Sequence, residues 1–164
     1  MADDSLSQVT IPKDRSGTMH RIQVILKIVQ VCLAILIVGI SIDPPFNHFQ
    51  RIFNKPRATV GDIAIIYTAI IGYMIINMLF LIGHVLGDRI PKKTLLLFSS
   101  VGAVLHIVAA SMMIHTWRKV TGEYHNNAIH SSQLYNNLFM TSAILTFLNA
   151  ALFGGDVVFT LRYT

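Results

Sequence analysis

Charged residues are scarce in this sequence. Asp, Glu, Lys and Arg together make up only 13% of its 164 residues, whereas a typical soluble domain has roughly 25%. Hydrophobic residues make up 53%, and the mean hydropathy is +0.58. So few charges are atypical of a water-soluble domain, and the composition therefore indicates a membrane protein.

Cysteine pairs and catalytic motifs are also missing. Cys32 is the only cysteine, which excludes an intrachain disulfide and a cysteine-based zinc site. The sequence contains no H-E-x-x-H, Walker A, G-x-S-x-G or glycine-rich dinucleotide motif. The loops have few carboxylates, and only Asp43 and Glu123 lie well clear of the helices on the outer side, so paired-carboxylate catalysis is not expected. We expect a protein that is not an enzyme and that uses no cofactor or metal.

Four long apolar stretches occupy most of the chain, at about 22–42, 61–87, 94–115 and 136–161. Each reaches the roughly 20 residues that cross a bilayer core of about 30 Å. We predict an all-α fold, an antiparallel four-helix transmembrane bundle. The predicted domains are a disordered tail over 1–21, a four-span domain over 22–161 and a stub over 162–164, with outer loops at 43–60 and 116–135 and an inner turn at 88–93.

The flanking charges predict the orientation of the chain. The first 20 residues contain no apolar signal-peptide core, so we expect the first stretch to be an uncleaved signal anchor. Four spans place both termini on one side, which carries seven Lys and Arg residues against five on the other. The positive-inside rule then predicts cytoplasmic termini. These basic residues flank the membrane in several segments, so the lipid bilayer, and not nucleic acid, is the expected partner.

Aromatic and basic residues mark two predicted interfacial regions. After the first stretch, Phe46, Phe49 and Phe53 recur at helical spacing with Arg51 among them. This pattern fits a short amphipathic helix at the headgroups, with an irregular loop as the equal alternative. Trp117 and Arg118 end the third stretch, and such pairs are typical of anchoring at the membrane interface.

A lysine and an aspartate lie at similar depths inside the predicted spans. Lys27 and Asp156 are each about five residues from the cytoplasmic end of their stretch, which places both about 8 Å above that boundary. Charges at membrane depth are costly and are usually paired. We predict an ion pair between the first and last helices. The alternative is that Lys27 extends to the headgroups while Asp156 contacts cytoplasmic water.

Three further polar residues share a predicted layer near the bilayer midplane. They are Asn77, His106 and Asn149. Hydrogen bonds between helices would fix the helix register, at about 0.6 kcal/mol per bond. An ion or proton path is the alternative, but no carboxylate lies in this layer to supply the usual charged member.

Small residues one helical turn apart predict close helix packing. The pairs are Ser99 with Ala103, Ala150 with Gly154, and Ala151 with Gly155. Such pairs allow helix backbones to approach each other. We expect most of them to face the other three helices, with a self-association face as the alternative.

The plan of the chain resembles that of MARVEL-type four-span proteins. It shares the predicted cytoplasmic termini, the short basic inner turn and the modest outer loops. The ending His115-Thr116-Trp117-Arg118 of the third stretch is similar to that of the insect snakeskin family of smooth septate junction proteins. The resemblance implies a role in organising epithelial membrane contacts together with other junction proteins, without catalysis.

Two classes of function remain open from the sequence. The first is a non-enzymatic scaffold at a cell junction or plasma-membrane subdomain, assembling laterally with copies of itself or with other multi-span proteins. The second is a small transporter, or an auxiliary subunit of a channel or transporter. In that class, Lys27, Asp156, His106, Asn77 and Asn149 would line a polar path.

Overall fold

The computed structural model describes residues 13–42, 60–87, 91–124 and 133–163, and within these ranges the protein is helical without any strand. The helices are α1 (Lys13–Ile42), α2 (Val60–Tyr67), α3 (Tyr73–Val85), α4 (Lys92–Tyr124) and α5 (Gln133–Tyr163). A π-helical turn at Thr68–Gly72 joins α2 to α3, so the three together form one continuous second span. The predicted all-α fold class is confirmed.

Four helical segments are long and apolar enough to cross a membrane. They are Arg21–Ser41, Gly61–Val85, Lys92–Arg118 and Asn137–Arg162. The chain is therefore a multi-pass membrane protein by the length and composition of its helices. The cytoplasmic placement of the termini and the antiparallel packing of the whole bundle stay predictions.

Two helices extend beyond the stretches that the sequence predicts. Helix α1 begins at Lys13, within the tail expected to be disordered, and α4 continues to Tyr124, within the expected outer loop. An apolar stretch indicates which residues lie in the membrane. The helix itself can continue beyond the membrane, because it ends only where its backbone hydrogen bonding is interrupted. No proline occurs in either extension, so nothing in them interrupts that bonding as proline does.

The four spans pack as a closed ring. Helix α1 packs against α5 on one side and α3 on the other, while α4 packs against α5 and α2. Every span therefore has two neighbours and one face toward the centre. An apolar cluster of buried residues fills part of that centre: Ala34, Ile37, Ile70, Met113 and Ala143.

Gly102 allows α4 to approach two aromatic rings. The rings of Tyr73 and Phe153 meet edge to face with their centroids 5.5 Å apart. A Cβ atom at Gly102 would lie 2.7 Å from the Tyr73 ring and 2.9 Å from the Phe153 ring. Any side chain at residue 102 would displace these rings, so glycine is required for this packing.

We predict that Gly102→Ala destabilises the protein. Forcing a methyl group into a packed interior costs about 1–3 kcal/mol. The matched control is Gly39→Ala, because no atom of the described part of the chain lies within 4 Å of a Cβ at Gly39 and alanine is the better helix former. The measurement is unfolding of the purified chain in mixed micelles with SDS, followed by circular dichroism. Equal stability of the two variants would contradict the account of this packing.

Candidate functional site

Lys27 and Asp156 form an ion pair in the interior of the bundle. Lys27 Nζ lies 2.8 Å from Asp156 Oδ2. Lys27 is 5% exposed and Asp156 is fully buried, so this Lys does not extend to the headgroups. The structure thus places together the two residues that the depth count pairs, and the contact joins α1 to α5.

Ser99 brings α4 to the same pair. Its hydroxyl donates a hydrogen bond to Asp156 Oδ2, and its oxygen accepts one from Lys27 Nζ at 3.3 Å. The sequence marks Ser99 only as a small packing residue. Its height could have shown more, because it lies seven residues above Lys92, about 10 Å along the helix, close to the height predicted for Lys27.

Gln30 and Asn77 bring the second span into contact with α1. Gln30 Oε1 accepts a hydrogen bond from Lys27 Nζ at 3.3 Å and another from Asn77 Nδ2 at 3.1 Å. All four spans therefore contribute to one polar group, the Lys27 cluster, made of Lys27, Gln30, Asn77, Ser99 and Asp156.

The position of Asn77 differs from the predicted midplane layer. Asn77 bonds to Gln30, and the described contacts join only His106 and Asn149 of that layer to each other. Counting residues gives the depth of a side chain along its helix but not the neighbouring helix that it faces. Because α3 packs against α1, the amide of Asn77 meets Gln30.

Aromatic rings complete the surroundings of the Lys27 ammonium. Its Nζ lies 5.3 Å from the centre of the Phe153 ring and 5.6 Å from that of Phe80. Ring faces carry negative electrostatic potential and attract a cation at this distance. Carboxylate, hydroxyl, amide oxygen and ring faces together replace the water that the ammonium would otherwise bind.

His106 and Asn149 form a second polar pair between α4 and α5. His106 Nδ1 lies 2.8 Å from the carbonyl oxygen of Gly102, and Nε2 lies 3.1 Å from Asn149 Nδ2. A carbonyl can only accept, so we assign the hydrogen to Nδ1. Nε2 then accepts from the Asn149 amide. These partners fit a neutral imidazole.

Phe153 contacts both the His106 pair and the Lys27 cluster. Its ring centroid lies 4.8 Å from that of His106 and 5.3 Å from Lys27 Nζ. The two polar groups thus share one aromatic neighbour. The sequence analysis missed this role, because a lone Phe in an apolar stretch gives no signal of its own.

The inward face of α5 carries polar residues that the sequence analysis also missed. Besides Asn149 and Asp156, this face includes Ser142, Thr146 and Thr160, all fully buried. These polar residues recur at the spacing of one helix face. Their helical spacing from Asp156 is the sequence pattern that could have identified them.

The small residues divide between the inside and the outside of the bundle. Ser99 and Ala150 are buried, and Ala103 and Gly154 are partly buried, as expected for contacts with the other spans. Ala151 and Gly155 instead are exposed on α5. Most of these residues therefore face inward, and the pair Ala151 and Gly155 is the exception to the prediction.

The predicted interfacial residues are only partly described. Trp117 is half-buried and Arg118 is exposed where the third span ends. Four of them lie outside the described residues: Phe46, Phe49, Arg51 and Phe53. The amphipathic helix and the irregular loop therefore both stay predictions. No group of three or more His, Cys, Asp or Glu residues that could hold a metal occurs within the described ranges.

Comparisons with known proteins leave the family open, since no protein-family model, curated protein or solved structure matches this sequence. The likeness to MARVEL-type and snakeskin proteins therefore stays a prediction from the plan of the chain.

We predict that Lys27→Met destabilises the bundle more than Lys27→Met combined with Asp156→Asn. The single change leaves a buried carboxylate without its cation, which costs about 3–5 kcal/mol. The double change removes the charge and leaves an amide that Ser99 can still bond. SDS titration of both variants measures the difference, with Lys92→Met at an exposed lysine as the control. A double variant no more stable than Lys27→Met alone would contradict this prediction.

Proposed function

We propose that the chain is a non-enzymatic membrane scaffold that organises a cell junction or plasma-membrane subdomain through lateral helix contacts and its outer loops. Its partners are other junctional or multi-span proteins and further copies of the chain. The observation that carries the proposal is the outward placement of Ala151 and Gly155 on α5.

These two residues form a shallow depression on the outside of the bundle. Large exposed residues stand above and below them on the same helix face: Ile144, Leu148 and Val158. Among the described residues, no atom lies within 4 Å of a Cβ at Gly155, so none of them requires a glycine there. Small residues in this arrangement allow a second helix to approach the backbone closely. The depression therefore supports lateral association with a helix from outside the bundle.

The interior supports a bundle that acts as one unit. Polar side chains from all four spans meet in the Lys27 cluster, and opening it inside a bilayer would expose unpaired charges to hydrocarbon. A bundle held in this way keeps its outer surface and its connecting loops in fixed relative positions. That property suits a protein that positions partners, and it agrees with the resemblance to four-span junction proteins.

Orientation is part of the proposal. With both termini and the basic inner turn in the cytoplasm, the segments 43–60 and 116–135 face the extracellular side. Arg118 is exposed at the outer end of the third span, where basic side chains contact lipid headgroups or an acidic partner.

We predict that Gly155→Leu weakens lateral association without destabilising the isolated bundle. The leucine fills the depression and holds a neighbouring helix away. Gly39→Leu is the matched control, because Gly39 is an exposed helix glycine with no atom within 4 Å of an added Cβ. Energy transfer between differently labelled copies in lipid vesicles measures self-association.

The same two variants test the cellular part of the proposal. Tagged chains are expressed in polarised epithelial cells, and enrichment at lateral contacts is compared by imaging. The proposal expects enrichment for the unmodified chain and for Gly39→Leu, and a diffuse distribution for Gly155→Leu. A diffuse distribution of all three chains would contradict the junctional role, and equal association of both variants in vesicles would contradict the role of the depression.

A further inference from the structure

Two exposed arginines lie on the neighbouring helices α1 and α5. Arg21 is the first residue of the span on α1, and Arg162 is the last residue of the span on α5. Each lies six residues from the contact between Lys27 and Asp156, which is about 9 Å along its helix at 1.5 Å per residue. Because Lys27 Nζ and Asp156 Oδ2 are 2.8 Å apart, both distances start from one shared point.

The segments that carry the two arginines run from this contact toward the same end of the bundle. Ala34 of α1 and Ala143 of α5 belong to one apolar cluster. Along its own helix, each alanine lies on the opposite side of the contact from the arginine. The α1 segment 21–26 and the α5 segment 157–162 therefore lie together at the other end, and the two arginines are at similar height.

Arg21 lies on the side of α1 that is next to α5. Gln30 contacts Asn77 of the second span, and it is turned from Lys27 by about 60° toward that span at 3.6 residues per turn. Ile28 is turned from Lys27 by about 100° in the opposite sense, toward α5, and is 46% exposed. Arg21 precedes Ile28 by seven residues and so shares its outer face.

Arg162 lies on the side of α5 that is next to α1. Thr146 contacts Met113 of α4, and it is turned from Asp156 by about 80° toward that helix at 3.6 residues per turn. Gly155 is turned from Asp156 by about 100° in the opposite sense, toward α1, and is exposed. Arg162 follows Gly155 by seven residues and so shares its outer face. The two arginines therefore flank one groove, the outer groove between α1 and α5.

The outer groove combines a positive end with apolar walls. Among the side chains that the structure describes, the carboxylates are those of Asp62 and Asp156. Asp62 lies at the other end of the bundle, in the first turn of α2, and Asp156 is bound to Lys27. Beyond the arginines, the α1 wall presents the exposed side chains of Ile28 and Ile35 to the bilayer. A ligand that fits has an anionic group at headgroup level and an apolar part inside the bilayer.

We propose that Arg21 and Arg162 bind the headgroup phosphate of an anionic phospholipid at the end of the outer groove. Guanidinium groups form paired hydrogen bonds with phosphate oxygens, and basic pockets between spans bind lipid headgroups. The acyl chains lie against the outer face of α1, which leaves the depression on α5 open to a neighbouring helix. In the proposed orientation, this end of the bundle meets the cytoplasmic leaflet, which is the anionic one.

Lipid titration of the full chain in mild detergent tests the proposal, with bound lipid counted by native mass spectrometry. We expect the unmodified chain to bind one phosphatidylserine, more tightly than phosphatidylcholine with the same acyl chains. Arg21→Gln combined with Arg162→Gln is expected to weaken phosphatidylserine binding about thirtyfold, equivalent to ~2 kcal/mol. The matched control is Lys92→Gln combined with Lys93→Gln, which removes two exposed charges of α4 and keeps the unmodified affinity.

Each other outcome overturns the proposal. Equal weakening in the two double variants would show a diffuse attraction to positive charge, with no bound headgroup. Equal binding of both lipids by the unmodified chain would exclude recognition of an anion, and this comparison does not depend on whether any variant folds. No binding of phosphatidylserine would leave the arginines to an acidic partner helix.

A soluble headgroup separates a lipid from a free phosphate compound. Glycerophosphoserine carries the same phosphate without acyl chains, so we expect it not to displace bound phosphatidylserine at matched concentration. Displacement would assign the two arginines to a soluble phosphate ligand and overturn the assignment to a lipid. The titration does not measure association between copies of the chain, so the proposed scaffold role stands or falls separately.

Discussion

A pair of opposite charges inside the bilayer is the constraint on which the rest of this bundle depends. Lys27 and Asp156 belong to the first and last helices, and neither charge reaches water. In hydrocarbon, each is tolerated only while the other is in contact. Ser99 and Gln30 add hydrogen bonds to the Lys27 ammonium, and Asn77 extends this polar group to the second span. The chemistry of one buried pair thus fixes the height and rotation of four helices, which hydrophobicity alone does not do in a membrane.

Small residues have different roles on the inside and on the outside of the bundle. Phe153 contacts both polar groups, and Gly102 leaves the room that Phe153 and Tyr73 need. Inside the bundle, small side chains therefore serve close packing around large rings. Outside it, Ala151 and Gly155 are exposed among the described residues, which is the reason for proposing that they associate with another helix. The exterior of α5 is the surface that we propose for lateral contact with another helix.

The sequence predicts what depends on the position of a residue along its own helix and fails on what depends on which neighbouring helix the residue faces. Hydropathy finds the four spans because crossing a bilayer is a property of each segment. Depth counting pairs Lys27 with Asp156 because the two residues lie at one height. The partner of Asn77 depends on which neighbour α3 faces, and Phe153 gains its place from residues on α1 and α4. Helix ends at Lys13 and Tyr124 lie beyond the apolar stretches, where hydropathy carries no information about backbone hydrogen bonding.

The most direct test of the account is a contact measurement at the buried pair in a native-like bilayer. Solid-state NMR on the full chain, labelled with ¹⁵N at lysine and ¹³C at aspartate and reconstituted in lipid, detects transfer between Lys27 Nζ and Asp156 Cγ. The account predicts a cross-peak of direct-contact strength that disappears in Lys27→Arg, since that variant carries no labelled Nζ at residue 27. A full-length, helical sample with no such cross-peak would contradict the account.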